Sequence, residues 1–455
     1  MKRSYMEEKS KKKSVDMIHG TLGDKMLKVA IPLAMTGILQ QLFNATSVAV
    51  LGRFVGKNAM AAVGSNSALI GLLLNLFIGI SMGANVVIAR FTGQKDPDAV
   101  HRAVHTAILV SVVCGLGMIL IGELLAGPVV RILGVPNDVY AMALLYLRIY
   151  LIGMPVILLY NFESAIFRSQ GNTRTPLLCL LMAGCINLGL NLFFVIILHM
   201  NVNGAATATV ISNCISSGLM LHILRRHTGP LHVRFRDLRI DGKILKEILR
   251  IGVPAGVQGM VFSLSNICIQ SAINSLGSTV MAASAAAFNI EIFEYYIVTS
   301  FGQTGTTFIS QNYGASLPDR CKKVSWLCLF QDLIAAGATS ILLLTFGRPL
   351  LGLFNTDPAV VSTGIIRLKF ILGGEVINAF IEVLSDIMRG YGYSLVPALS
   401  TLFGICGVRI LWVYTLFAHT HTFSMLMATY PGSWTVTAVI VLIAYIVLRR
   451  RKVIA

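Results

Sequence analysis

The strongest constraint on this chain is a set of polar and turn-forming residues that recurs at fixed spacing in an otherwise apolar sequence. Ser164, Arg168, Gly171, Pro176 and Cys185 are answered by Ser385, Arg389, Gly392, Pro397 and Cys406, each pair 221 residues apart. Met60-Ala61-Ala62 answers Met281-Ala282-Ala283, and Gly93 answers Gly314, at that same spacing. Pro32 answers Pro254 and Asn44 answers Asn266 at 222. So many punctuating residues in register mark a duplicated unit, and the chain must fold as two copies of one bundle.

What each copy contains follows from its polarity. Of the 455 residues, 55% are hydrophobic and only 13% charged, with a mean hydropathy of +0.75. A soluble domain carries about 25% charged residues. Twelve apolar spans can be read, at about 27–50, 62–89, 103–127, 139–166, 175–200, 204–225, 245–275, 279–308, 323–347, 359–388, 397–418 and 426–449. Each is bounded by Gly, Pro, Asn or charge and is long enough to cross a ~30 Å hydrocarbon core. The expected fold is all-α and integral to the membrane, with two parallel six-helix repeats related by an axis along the membrane normal. The expected divisions are a tail at 1–26, an N lobe at 27–224, a linker at 225–243, a C lobe at 244–449 and a tail at 450–455. Met1–Ser14 is charged and polar with no apolar stretch behind it, so no cleavable signal is expected.

The formal charge of +17 is distributed in a way that argues against nucleic acid as a partner. Of the 37 Lys and Arg, 29 fall in alternate loops, and the intervening loops hold only Arg53, Lys57, Arg131 and Arg348. That is the positive-inside bias, which places both termini in the cytoplasm and brings the basic loops against anionic lipid. In the linker, Arg234, Arg236 and Arg239 alternate with apolar residues, the pattern of a short interfacial helix. The eight cysteines are scattered without metal-ligand spacing. There is no Gly-x-Ser-x-Gly, no Walker loop and no His pair at zinc spacing, so neither an enzyme nor a cofactor is expected. Without an ATP-binding loop, uphill transport must draw on an ion gradient.

In a membrane helix, polar stripes face other helices or a water-filled cavity. Helix 1 carries Thr36, Gln40, Asn44 and Ser47, helix 7 carries Ser263, Asn266, Gln270 and Asn274, and helix 5 has Asn187 and Asn191 at i, i+4. Such amides bind substrate or join helices. Carboxylates are rarer and more informative. At 100° per residue, Glu375, Glu382 and Asp386 of helix 10 lie within roughly 40° of one another, which argues for a cavity or ion path. Glu291 and Glu294 stand one turn apart on helix 8, near enough to feel each other's charge. Glu123, Glu163 and Asp332 also fall within spans. Glu123 and Asp332 are expected near helix ends or paired with Arg148, Lys369 or Arg409. Gly79, Gly83, Gly302 and Gly305 allow close helix packing, and Pro32 and Pro254 stand early in helices 1 and 7.

Gln40-Gln41-Leu42-Phe43-Asn44, followed by Gly52-Arg53-Phe54-Val55-Gly56, resembles the first helix of the multidrug and toxic compound extrusion (MATE) family. Arg168-Ser169-Gln170-Gly171-Asn172-Thr173, Gln311-Asn312-Tyr313-Gly314-Ala315 and Arg389-Gly390-Tyr391-Gly392 resemble it too, so the likeness spans both halves. It implies a V-shaped arrangement of two lobes around a central cleft. It also implies export of organic cations and amphipathic drugs in exchange for protons or sodium, by alternating access across a bacterial inner membrane. A monomer is expected, because the two repeats already form one cleft. Two departures stand out. Ser47 occupies a position that is acidic in many relatives, and Asn191 stands where bacterial relatives often read Asp. Serine and asparagine bind sodium through oxygen but carry no proton at neutral pH. Ser47, Asn187 and Asn191 are therefore the sodium candidates, whereas proton coupling shifts to Glu291, Glu294, Glu382 and Asp386, with Glu375 beside them. Gln40, Asn44 and Asn266 complete the candidate binding residues. The alternative is a related flippase for lipid-linked oligosaccharide or another lipid, which would want arginines in its cleft; Arg148, Arg367, Lys369 and Arg409 are the candidates.

Overall fold

The computed structural model describes residues 14–132 and 135–454. The first thirteen residues of the expected N-terminal tail, and the last residue of the C-terminal one, lie outside them. Every regular element in the described residues is helical. The long helices are α1 (Gly23–Phe54), α2 (Lys57–Gly93), α3 (Pro97–Ile132), α4 (Asn137–Ile152 and Met154–Ser169), α5 (Arg174–Ile197), α6 (Val202–Arg225), α7 (Gly242–Asn274), α8 (Ser278–Gly314), α9 (Pro318–Thr345), α10 (Pro358–Gly390), α11 (Leu395–Thr420) and α12 (Phe423–Arg450), with a short helix, Gly347–Phe354, between α9 and α10. Each expected span coincides with one of them. Among the described residues, nine are long and apolar enough to cross a membrane singly, and the two halves of α4 together make a tenth. The remaining two, α8 and α10, carry Glu291, Glu294, Glu375, Glu382 and Asp386 and fall outside that measure.

Local chemistry sets the ends and breaks. α4 bends by 49° at Gly153, where Pro155 lacks the N–H needed to continue the ladder. α5 relaxes into a π turn over Phe193–Ile197, and α11 into two, over Leu402–Gly407 and Val413–Phe417. Only the second of these answers the turn in α5. Asp357 caps α10 by accepting the Ala359 N–H at 2.8 Å. The linker forms only one 3-10 turn, Phe235–Asp237, shorter than the interfacial helix expected there.

The chain condenses into two compact units that divide inside helices rather than in the linker. One unit holds Met35–Gly256, and the other holds Met17–Ala34 with Val257–Ala455. The cut falls two residues after Pro32 in α1 and two residues after Pro254 in α7, so it obeys the repeat.

Packing explains why these half-helices belong where they do. In the first unit, Gly79 and Gly83 of α2 meet Gly252 and Gly256 of α7. A Cβ at any of the four would overlap the facing backbone. Two small-xxx-small edges in contact bring helix backbones together where hydrophobic transfer offers nothing. In the second unit, the segment before α1 is tied to α9, because Arg320 donates to the carbonyls of Met17, His19 and Gly20. Gln331 donates to the Gly23 carbonyl at 3.0 Å.

Candidate functional site

Polar residues gather at one place in each unit. In the first unit α1, α5 and α6 meet over a neutral cluster. Asn191 Nδ2 donates to Asn187 Oδ1 (2.9 Å) and to Ser47 Oγ (3.1 Å), and Asn187 Nδ2 donates to Ser212 Oγ (3.1 Å). Phe43 packs where Gly184 has no side chain, which seats α1 against α5. The structure thus brings Ser47, Asn187 and Asn191 together as expected and adds Ser212. Asn191 Oδ1 is buried without a hydrogen-bond partner among the described residues, an open acceptor for a small cation. Gln40 is half-buried and Asn44 exposed, and neither joins the cluster. This unit also holds a buried carboxyl outside the candidate set. Glu163 of α4 has no exposure, accepts from Ser217 Oγ at 2.8 Å, and has no basic partner among the described residues.

The second unit is charged. α10 presents Glu375, Glu382 and Asp386 towards α8 and α9, and their partners separate them. Asp386 pairs with Arg389 one turn on, and Arg389 Nη2 donates to Gln258 Oε1 of α7 at 2.6 Å. Gln258 in turn donates to Thr401 of α11 at 3.0 Å. Asp386 fits because Gly302 of α8 stands opposite; a Cβ there would overlap the carboxylate. Glu375 accepts from Asn378 at 2.8 Å.

Glu291 and Glu294 part company. Arg367 of α10 donates to both oxygens of Glu291, at 2.6 and 3.1 Å, and to Ser284 at 2.5 Å. That bidentate fork makes Glu291 one half of a buried ion pair. Glu294 meets no base. Ser340 Oγ of α9 donates to Glu294 Oε1 (2.5 Å) and to the Leu372 carbonyl (2.8 Å). A hydroxyl has one proton for those two acceptors, so a proton on Glu294 would complete the pair of bonds. Glu294 Oε2 is buried without a partner.

Two further residues correct the sequence reading. Asp332 was expected near a helix end or beside a base. It is fully buried in mid-helix with neither oxygen bonded, within electrostatic reach of Glu294, Glu375, Glu382 and Asp386. Arg409 pairs with no acid among the described residues. It is fully buried, donates to Asn266 Oδ1 (3.1 Å) and Ser433 Oγ (3.2 Å), and lies 4.4 Å from the Tyr430 ring centroid. Asn266 is thus a site neighbour through Arg409. Glu123, by contrast, pairs with Arg148 at 3.2 Å as expected.

The family model MatE matches residues 32–193 and again residues 254–415. The chain belongs to the MATE family. The two matches are offset by 222 residues, the same duplication that the recurring residues mark. This MATE chain is similar to the probable multidrug resistance protein YoeA of Bacillus subtilis, 28% identical over 422 residues and covering 90% of each chain. It is also similar to the FAD transporter of Shewanella oneidensis, 24% identical over 76% of this chain and 77% of the relative. Among solved structures, an outward-facing MATE transporter of the MOP superfamily matches with a TM-score of 0.88 at 20% identity, covering 96% of this chain and 98% of that one. The MATE fold is therefore established, and this is a multi-pass membrane transporter of the multidrug efflux family.

Proposed function

We propose that the chain exports organic cations or amphipathic drugs from the cytoplasm by antiport, with the carboxyls of the second unit as the exchange site. The observation that carries this reading is a charge imbalance. Glu291, Glu294, Asp332, Glu375, Glu382 and Asp386 outnumber the buried cations Arg367, Arg389 and Arg409 by six to three. Hydrocarbon does not tolerate three uncompensated carboxylates, so protons or bound cations must balance them. A carboxyl that holds either a proton or a cationic drug, and not both, makes the two bindings compete, and competition of that kind couples two flows. Glu294, Asp332, Glu375 and Glu382, without a base of their own, are the carriers. The positive-inside bias supports both termini in the cytoplasm, family resemblance supports the plasma membrane, and two repeats in one chain support a monomer.

The test is efflux of an ethidium-type dye from proteoliposomes under a proton gradient alone and then a sodium gradient alone. Proton-driven efflux that fails in Glu294→Gln supports the reading, and the sodium gradient alone should leave the dye in place. Sodium-driven efflux that fails in Asn191→Ala would move the coupling to Ser47, Asn187 and Asn191. A second reading rests on Arg409, a buried guanidinium without an acid, which suits an anionic cargo such as a lipid-linked oligosaccharide. Dye retention under both gradients, with headgroup-labelled lipid crossing the bilayer, would favour it.

A further inference from the structure

The segment between the repeats carries Arg225, Arg226, Arg234, Arg236 and Arg239 against two acids, Asp237 and Asp241. It is fastened to the first unit rather than left loose. The Arg234 N–H donates to His105 Nε2 (3.1 Å) and the Asp241 N–H to Thr106 Oγ1 (3.1 Å). Arg102 pairs with Asp241 at 3.4 Å, and His101 draws Asp237 to within 3.5 Å. His105 also bonds the His101 carbonyl of its own helix through Nδ1, which holds the ring with Nε2 turned to the linker.

These ties frame a cavity of about 490 Å³ lined by Arg225, His232, Arg234, Phe235, Arg236 and Asp237. The three lining arginines are exposed, and none is in an ion pair among the described residues. His232 Nδ1 is buried without a hydrogen-bond partner. Arg225 stacks over the Phe235 ring at 4.7 Å, and the ring itself is 55% exposed.

We propose that this cavity binds the phosphate headgroup of an anionic phospholipid. Guanidinium forks match phosphate oxygens, and three unpaired ones around a single cavity make an anion site. Depth selects the lipid over a soluble phosphate. Arg225 is the last residue of α6 and Gly242 the first of α7, so the cavity opens at the ends of two apolar spans, where headgroups lie. An exposed aromatic ring at that level rests in the acyl boundary, a contact that a free phosphate does not offer. The site goes beyond a diffuse basic face, because its residues are held in place and converge on one space.

The test is native mass spectrometry of the full-length protein in detergent, titrated with phosphatidylglycerol, phosphatidylcholine and soluble glycerol phosphate. Phosphatidylglycerol should be retained in preference to phosphatidylcholine. R225Q/R234Q/R236Q should weaken that retention by tenfold or more, at about fivefold per arginine near a membrane surface. R449Q/R450Q/R451Q removes the same charge elsewhere and should change nothing. Phe235→Ala keeps every guanidinium and should still weaken lipid retention. An unchanged melting transition establishes that each variant folds. Equal retention of phosphatidylcholine, or an equal loss in the Arg449–Arg451 variant, would overturn the proposal. Glycerol phosphate bound as tightly as the lipid would overturn it in favour of a soluble phosphate ester.

Discussion

Glu291 and Glu294 are one helical turn apart and meet opposite neighbours, a guanidinium fork on one side and a serine hydroxyl on the other. Removing Arg367 leaves a buried carboxylate alone, so Arg367→Ala should lose about 3–5 kcal/mol of stability, read as a lower melting temperature in detergent. Glu291→Gln should leave proton-driven efflux working and Glu294→Gln should abolish it. The reverse order would place the exchange site at Glu291. Much of this cluster was legible in the sequence. Helical arithmetic alone puts Glu375, Glu382 and Asp386 on one face, and i, i+4 spacing brings Asn187 to Asn191. The partners were not legible, because Arg367 lies 76 residues from Glu291 and Arg409 lies 143 from Asn266. Only tertiary packing brings such pairs together, and periodicity within one helix carries no trace of it. Asp332 was misjudged for the same reason: neighbouring acids on other helices define its surroundings, and no base of its own does.

At the scale of elements, helix–helix contact in this protein depends on side chains that are missing. The α2–α7 crossing is two glycine pairs edge to edge, and its geometry leaves no room for a methyl group. Gly256→Ala should therefore destabilise by about 1–3 kcal/mol, visible as a lower melting temperature, while Gly117→Ala should be neutral. A Cβ at Gly117 meets nothing within 4 Å. The spans themselves were legible because a chain in lipid must satisfy its backbone internally, so apolar runs and helices coincide. Gly79 and Gly83 announced close packing, but nothing in their spacing names α7 as the partner. The bend in α4 was equally hidden. Gly153-Met154-Pro155 sits inside one unbroken apolar run, and hydropathy does not distinguish a bent span from a straight one.

Across the whole molecule the repeat is faithful in backbone and unequal in charge. The family matches and the points where the compact units divide follow the duplication. The polar chemistry does not. One unit gathers amides and hydroxyls around Ser47, Asn187 and Asn191, and the other gathers six carboxyls and three guanidiniums. Duplication supplied two similar scaffolds, and the side chains then diverged. Asn187→Ala and Asn191→Ala should accordingly slow transport without changing which ion drives it.

The claim that the second unit exchanges protons for cationic cargo is tested most directly by proton release from purified protein. A lipophilic cation such as tetraphenylphosphonium is added in unbuffered detergent solution near neutral pH, and the liberated protons are counted with an indicator dye. Release of roughly one proton per bound cation is predicted, with release lost in Glu294→Gln and preserved in Asn191→Ala. Cation binding that liberates no proton, or release that survives neutralisation of Glu294, Asp332, Glu375 and Glu382 together, would contradict it.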